Sequence, residues 1–312
     1  MGSTVVAVID IGSNSIKALA ATGGPAGELV TLKTAAIDAR ISQGIAQVPP
    51  RLSDGGMQNG LKAIGELLRE VAPLKPARTI LVATSAVRDA ANGAEFRQRV
   101  ERATGHAVRL LSGREEADLI GRGLLTDAAL AGLRDFYVFD LGGGSLECLA
   151  FRDRRAVQVT SLPLGCVRLM EQCVTDPRAP LAAPELARIT AAVREVLAKS
   201  GFILSLPPDA PAVFTGGTVT TVRAIAAAQS GAPIADTRPL ISAAALRGLL
   251  EEVAALGLAE RRAIRGLAPA RADVFPTALA IALAVADAGG FTEFRHSFHN
   301  LRYGVAAEAL GL

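Results

Sequence analysis

Two apolar patterns alternate along this chain, one continuous or period-two and one at helical spacing. Residues 4–9 are apolar and rich in valine, and strand-like runs at 16–21 and 29–36 follow, the latter two divided by Gly23 and Gly24. The opening therefore reads as a three-stranded meander. Between Ser53 and Val71 the apolar positions fall at helical spacing, with Ser53 and Asp54 placed as caps. A strand at 79–83, a helix around 93–103 and a short strand at 107–110 come next. Ser112 then stands as N-cap of a helix running to about Leu125, with Glu115 three residues on as its capping-box partner. At Phe136 the pattern restarts: strands at 136–139, 146–151 and 156–162 repeat the meander. Pro207, Pro208 and Pro211 precede a strand at 212–215 that runs into a helix. The remainder reads as mostly helical, with a strand at 293–298 and a final helix from Leu301. This order predicts an α/β protein of two domains, 1–128 and 129–312, each on a mixed sheet and facing the other across a cleft. The final helix, from about residue 300, is expected to pack back on the first domain.

Both meanders turn on the same kind of sequence. Asp10-Ile11-Gly12-Ser13-Asn14-Ser15 and Asp140-Leu141-Gly142-Gly143-Gly144-Ser145 each follow a strand with an acid and a Gly/Ser turn. Such turns present successive backbone N–H groups to one point, a concave nest suited to phosphate oxygens, and serine hydroxyls add donors. The acid at the strand end suits a hydrated divalent cation. One copy would be an ordinary turn; two copies point to a duplicated phosphate site. A third glycine turn, Gly216-Gly217-Thr218, opens the helix after the strand at 212–215. It is expected to border the cleft, unless its glycines serve only close strand-to-helix packing.

Length and composition leave this picture standing. A chain of 312 residues fits about two domains, and its 50% hydrophobic content is ample for large buried layers. Lys and Arg number 33 against 30 Asp and Glu, dispersed along the chain, and Trp is absent, which argues against a dedicated nucleic-acid binder. No charged stretch followed by an apolar one opens the chain, and its alanine-rich segments are broken before spanning length. A cytoplasmic protein away from membranes is expected. Cys148, Cys166 and Cys173 are odd in number and lack C-x-x-C spacing, so reduced, buried thiols are expected rather than disulfides or zinc.

Hydrolysing a phosphate held by such turns asks for charge neutralisation and a carboxylate that orients water. In Ser112-Gly113-Arg114-Glu115-Glu116-Ala117, adjacent helical glutamates point about 100° apart, so only one can face a given site. Either could also simply favour the positive helix N-terminus.

Taken in order, Asp10 to Ser15, Ala83-Thr84-Ser85-Ala86-Val87-Arg88, Ser112 to Ala117, Asp140 to Glu147 and Leu162-Pro163-Leu164-Gly165 resemble the exopolyphosphatase and guanosine pentaphosphate phosphohydrolase family over the whole chain. The resemblance implies two ribonuclease-H-like domains of the actin, hsp70 and sugar-kinase type, in the short two-domain form. It implies Glu116 as catalytic base. Phosphate-binding positions fall on Gly12, Ser13, Asn14, Ser15, Arg88, Gly142, Gly143, Gly144 and Ser145. Asp140 and Glu147, with Asp10, fall on the acids tied to a magnesium or similar divalent ion. The activity implied is release of terminal orthophosphate from inorganic polyphosphate, a hydrolase reaction. The alternative is removal of the 5′ γ-phosphate of guanosine pentaphosphate. An ATP-switched actin-like assembly or chaperone-like protein is the reading of another class, against which the Ser112 to Ala117 block speaks. Fold relatives often pair, so a homodimer is expected. Arg223 has no reading from the sequence, and Arg168 fits either a phosphate contact or a helix face.

Overall fold

The valine-rich opening run forms β1 (Val5–Ile11), which turns back into β2 (Ile16–Gly23) and then β3 (Leu29–Ile37), all antiparallel. The computed structural model describes residues 4–43, 45, 47–207 and 209–312; Pro208 of the proline cluster lies outside them. Ser53 caps α1 (Asp54–Val71) by accepting from the Gly56 amide, a bond worth about 1 kcal/mol. β4 (Arg78–Ala83), α2 (Ser85–Asp89), α3 (Gly93–Thr104), β5 (Val108–Leu110) and α4 (Gly113–Leu125) follow. Among the described residues the sheet order is β3-β2-β1-β4-β5, with β4 parallel to β1 and β5 parallel to β4. The carboxyl ends of β1, β4 and β5 therefore emerge on one edge, the edge where open α/β sheets bind ligands. Ile9, Ile11, Ile16 and Leu19 are fully buried, each contributing about 1.5–3 kcal/mol.

The pattern repeats after Gly132. β6 (Phe136–Leu141), β7 (Leu146–Arg152) and β8 (Arg155–Leu162) form the second antiparallel meander, followed by α5 (Cys166–Cys173) and α6 (Ala183–Lys199). β9 (Ala212–Gly216) lies parallel to β6 and leads into α7 (Gly217–Ser230). β10 (Leu240–Ser242), α8 (Ala243–Ala254), α9 (Leu258–Arg262), α10 (Phe275–Gly289) and β11 (Glu293–His296) complete a sheet of order β10-β11-β9-β6-β7-β8. A helix apolar all round is a core helix, and α10 is buried at every position from Phe275 to Ala286. The rings of Phe214 and Phe294 meet edge-on beside it, 5.0 Å apart. Both sheets thus carry the ribonuclease-H-like arrangement, a meander flanked by parallel strands, found in actin-like folds.

α11 (Leu301–Leu310) returns to the first sheet, packing on α4 and β1. Contact between the helices is close enough that a side-chain carbon at Gly304 would come 1.8 Å from the Leu119 carbonyl oxygen. One compact unit takes the chain up to Ala131 together with His299–Leu312, and the other takes Gly132–Phe298. Among the described residues no helix is long and apolar enough to cross a membrane.

Candidate active site

In the first unit, turn one leaves the carboxyl end of β1. Two of its carbonyls are claimed from one side: Ser13 O accepts from the Ser42 amide at 3.2 Å and Asn14 O from the Arg40 amide at 2.8 Å. In a trans peptide the C=O and the following N–H point opposite ways, so the amides of Asn14 and Ser15 are turned away from that segment. Amides set in succession like this make an anion nest. The side chains are engaged locally. Ser13 Oγ meets Ser85 Oγ at 3.1 Å, and Ser15 Oγ donates to Asp38 Oδ1 at 2.5 Å, with Asn14 Nδ2 3.5 Å from the same oxygen. Asp10 sits in β1 directly opposite Lys17 of β2, so the two share a face. Burial pushes the Asp10 carboxyl above the usual carboxylate range, against the pull of Lys17 and Arg302.

The ends of β4 and β5 bring Arg88 and Glu116 to the same sheet edge. The capping box settles which glutamate faces inward. The Glu115 amide donates to Ser112 Oγ, while Glu115 Oε2 accepts from the Ser112 amide at 2.8 Å and from Ser112 Oγ at 2.7 Å, and the two bonds to its carboxylate hold it below the usual range. Glu116, one position on, turns into the protein and is 6% exposed. Arg88 Nη1 donates to Glu116 Oε2 at 2.8 Å and to the Leu111 carbonyl at 3.0 Å, so the guanidinium assigned to phosphate from the sequence also holds this carboxylate.

In the second unit the same logic is stricter. The amides of Cys166, Val167 and Arg168 at the start of α5 donate to Gly142 O and Gly143 O, and Arg168 Nε donates to Gly144 O at 2.9 Å. Three successive carbonyls face α5, and the amides of Gly143, Gly144 and Ser145 therefore face away from it. Gly165 is the contact point: a Cβ there would lie 2.3 Å from the backbone of Gly143 and Gly144. Asp140 and Glu147 are cross-strand partners on one face, both buried, with Ser161 Oγ donating to Glu147 Oε1 at 2.7 Å. Where turn one sets Lys17 opposite its acid, turn two sets a second carboxylate. That pair of hard oxygen donors fits a magnesium ion, which takes one or two carboxylates and keeps its remaining positions for water and phosphate. Among the described residues no cluster of three or more His, Cys, Asp or Glu competes as a metal site. Burial, with Glu147 alongside, pushes the Cys148 thiol well up, away from reactivity.

The third turn stands beside this pair. A Cβ on Gly216, whose φ is +98°, would meet Asp140 Oδ1 at 2.6 Å, and one on Gly217 would meet the Arg271 guanidinium. Thr218 is fully buried, and its Oγ1 has no hydrogen-bond partner among the described residues. Arg223, unread from the sequence, is explained by tertiary contacts. It donates to the carbonyls of Ile234 and Thr237, to Thr237 Oγ1, and to His296 Nδ1 at 3.0 Å. A ring nitrogen that accepts from arginine leaves the proton on Nε2, which faces Thr220 Oγ1 at 3.3 Å; that hydroxyl donates to Gly216 O at 2.9 Å. A relay of fixed polarity thus runs from Arg223 to the third turn. His299 belongs to a different neighbourhood, with Nδ1 2.8 Å from Thr126 Oγ1.

The structure gathers Asp10, Gly12, Ser13, Asn14, Ser15, Arg88 and Glu116 in the first unit and Asp140, Gly142, Gly143, Gly144, Ser145, Glu147 and the Gly216 turn in the second. Sequence reasoning passed over Asp38, Arg40 and Ser42, which hold turn one. No residue pattern could have flagged them, since two of the three act through backbone amides.

Against known proteins, residues 24–311 match the model of the Ppx/GppA phosphatase family. Among solved structures the chain is similar to an exopolyphosphatase from Cytophaga hutchinsonii, with 21% identity and a TM-score of 0.89 over 99% of this chain and 98% of that one. An exopolyphosphatase-like protein gives 24% identity and a TM-score of 0.88 over 99% of both chains. The Aquifex aeolicus PPX-GPPA enzyme gives 24% and 0.76 over 98% of this chain and 100% of that one. At these identities the structural likeness is one of fold. The family match, by contrast, runs over nearly all of the sequence, and on it the chain belongs to the Ppx/GppA phosphatase family.

Proposed function

We propose that this phosphatase is an exopolyphosphatase, releasing terminal orthophosphate from inorganic polyphosphate. The observation that carries the reading is Glu116, a buried carboxylate fixed by Arg88 at the sheet edge from which turn one also leaves. Glu116 orients a water for in-line attack on the terminal phosphorus, and the shortened chain leaves as its terminal P–O bond breaks. The outward amides of turn one suit phosphate oxygens, over which charge is spread in the transition state, and those of turn two form a nest of the same kind within the second unit. Asp140 and Glu147 would hold magnesium, which supplies charge neutralisation for a phosphate at turn two. Asp10, with Lys17 opposite, is assigned to fixing turn one before any metal role. One similar structure is named an exopolyphosphatase and another exopolyphosphatase-like, and polyphosphate is on that account the first substrate to test, with guanosine pentaphosphate beside it.

The test is phosphate release from polyphosphates of defined length and from guanosine pentaphosphate, each with and without magnesium, by the wild type and Glu116→Ala. Expected are magnesium-dependent release from polyphosphate and a loss of at least about 100-fold in kcat for the variant, with polyphosphate still bound. Full activity in Glu116→Ala would overturn the role of that residue, and faster turnover of guanosine pentaphosphate would move the substrate to the nucleotide.

A further inference from the structure

Turn two is held from behind by the first amides of α5, but among the described residues turn one has no helix at that position. Its place is taken by the segment after β3. There, Arg40 and Ser42 donate backbone amides to Asn14 O and Ser13 O, and Asp38 accepts from the Ser15 hydroxyl and the Asn14 amide group. Arg40 adopts a left-handed φ of +48°, a conformation that disfavours a residue with a side chain. Such strain persists where surrounding structure fixes it, and here its amide reaches Asn14 O at 2.8 Å. The Ser15 hydroxyl has one proton, and at 2.5 Å it is committed to Asp38. A phosphate oxygen at turn one therefore meets the turn's amides while this hydroxyl donates elsewhere.

We propose that Asp38 is a positioning residue for substrate: through Ser15 and Asn14 it sets the side chains of turn one and keeps its amides turned outward. The inference rests on the reading of turn one as a phosphate site. Asp38 carries a further consequence for specificity. Its carboxylate is exposed and sits one hydrogen bond from the turn, so its charge opposes the polyanion that the turn receives. Hydrogen-bond acceptance and charge then act in opposite directions and can be separated by one atom. Asparagine keeps an accepting oxygen for Ser15 and removes the charge; alanine removes both.

The experiment compares Asp38→Asn, Asp38→Ala, Ser15→Ala and the double variant Ser15→Ala/Asp38→Ala. Tripolyphosphate binding is measured by calorimetry and KM and kcat on polyphosphate by phosphate release, with thermal unfolding as a check on folding. Asp38→Ala is expected to weaken tripolyphosphate binding about tenfold, the lost charge-assisted hydrogen bond outweighing the relief of an exposed, solvent-screened charge. The same loss is expected in KM, with kcat changed less. Asp38→Asn is expected to bind at least as tightly as the wild type. The double variant is expected to be no weaker than Asp38→Ala alone, because the two residues act as a unit.

Wild-type affinity in a folded Asp38→Ala overturns the proposal, as does an Asp38→Asn protein as weak as Asp38→Ala. Additive losses in the double variant overturn it too. If Asp38→Ala does not fold, Asp38→Asn and Ser15→Ala decide: the first must bind normally and the second weakly. A wild type that binds tripolyphosphate but releases no phosphate from polyphosphate of any length overturns the exopolyphosphatase reading alone, and the Asp38 comparison is then read from binding.

Discussion

Arg88 places two claims on one guanidinium. From sequence it belongs to the substrate, but its Nη1 lies 2.8 Å from Glu116 Oε2 and 3.0 Å from Leu111 O, and its Nε is 3.6 Å from Asp89. A fork held at several points is a poor candidate for swinging onto a phosphate, and a good one for fixing the carboxylate that orients water. These roles leave different kinetic signatures. An arginine that binds substrate equally in the ground and transition states changes KM; one that aims Glu116 changes kcat. Arg88→Ala is expected to lower kcat by about 100-fold through misplacement of Glu116, with KM within a few-fold of wild type. Steady-state kinetics on polyphosphate would check this, and a large rise in KM at unchanged kcat would return Arg88 to the substrate. Glu116 was singled out in the sequence by the family resemblance, since the residues alone left both glutamates open; the fold adds that Glu115 is taken up by the capping box while Glu116 turns inward. Asp38 was not legible, since a lone aspartate after a strand carries no pattern until turn one is seen folded against it.

At the scale of elements, α5 is the part on which turn two depends. Its first amides hold the turn's carbonyls, and this requires the helix start and the turn to approach without a side chain between them at Gly165. Gly165→Ala would place a methyl 2.3 Å from Gly143 and Gly144, and forcing it in costs about 1–3 kcal/mol by displacement of backbone. The expected result is a lower unfolding midpoint together with weaker tripolyphosphate binding; a stability loss with unchanged binding would show that the turn's amides survive the displacement. The helix start here was quoted in the sequence only as part of an ordered motif. By contrast the two hairpins and α4 could be read outright, because a strand, an acid, a glycine turn and a cap each leave a local signature. Arg223 shows the opposite limit. Its partners at Ile234, Thr237 and His296 come from two other elements, so nothing within its own helix could announce them. β10 and α5 were likewise passed over, being short segments set by their neighbours more than by periodicity.

For the molecule as a whole, the chain's return to the first unit can be tested through one titration. The return begins at His299, whose ring stacks on Tyr303 at 3.9 Å and whose Nδ1 stands 2.8 Å from Thr126 Oγ1. Thr126 Oγ1 donates its own proton to Gly123 O at 2.6 Å, so the imidazole is the donor between them, through a proton on Nδ1. Burial pushes the His299 pKa below its ordinary value, Asp127 and a Gly123 backbone bond opposing and Arg302 reinforcing the shift. A depressed folded pKa means that below about pH 6.5 the unfolded chain takes up a proton that the folded one resists. Stability is therefore fully present above that pH and falls as the pH drops toward the folded pKa, beyond which this group adds no further loss. In His299→Gln the slope from this residue vanishes, while His106 and His296 remain in both proteins and cancel in the difference. Urea unfolding at pH 8 and pH 5 is expected to show a larger loss of stability on acidification in the wild type than in the variant. Equal losses would mean that the imidazole is already free to charge, and that the contact of α11 with α4 opens before the first unit unfolds.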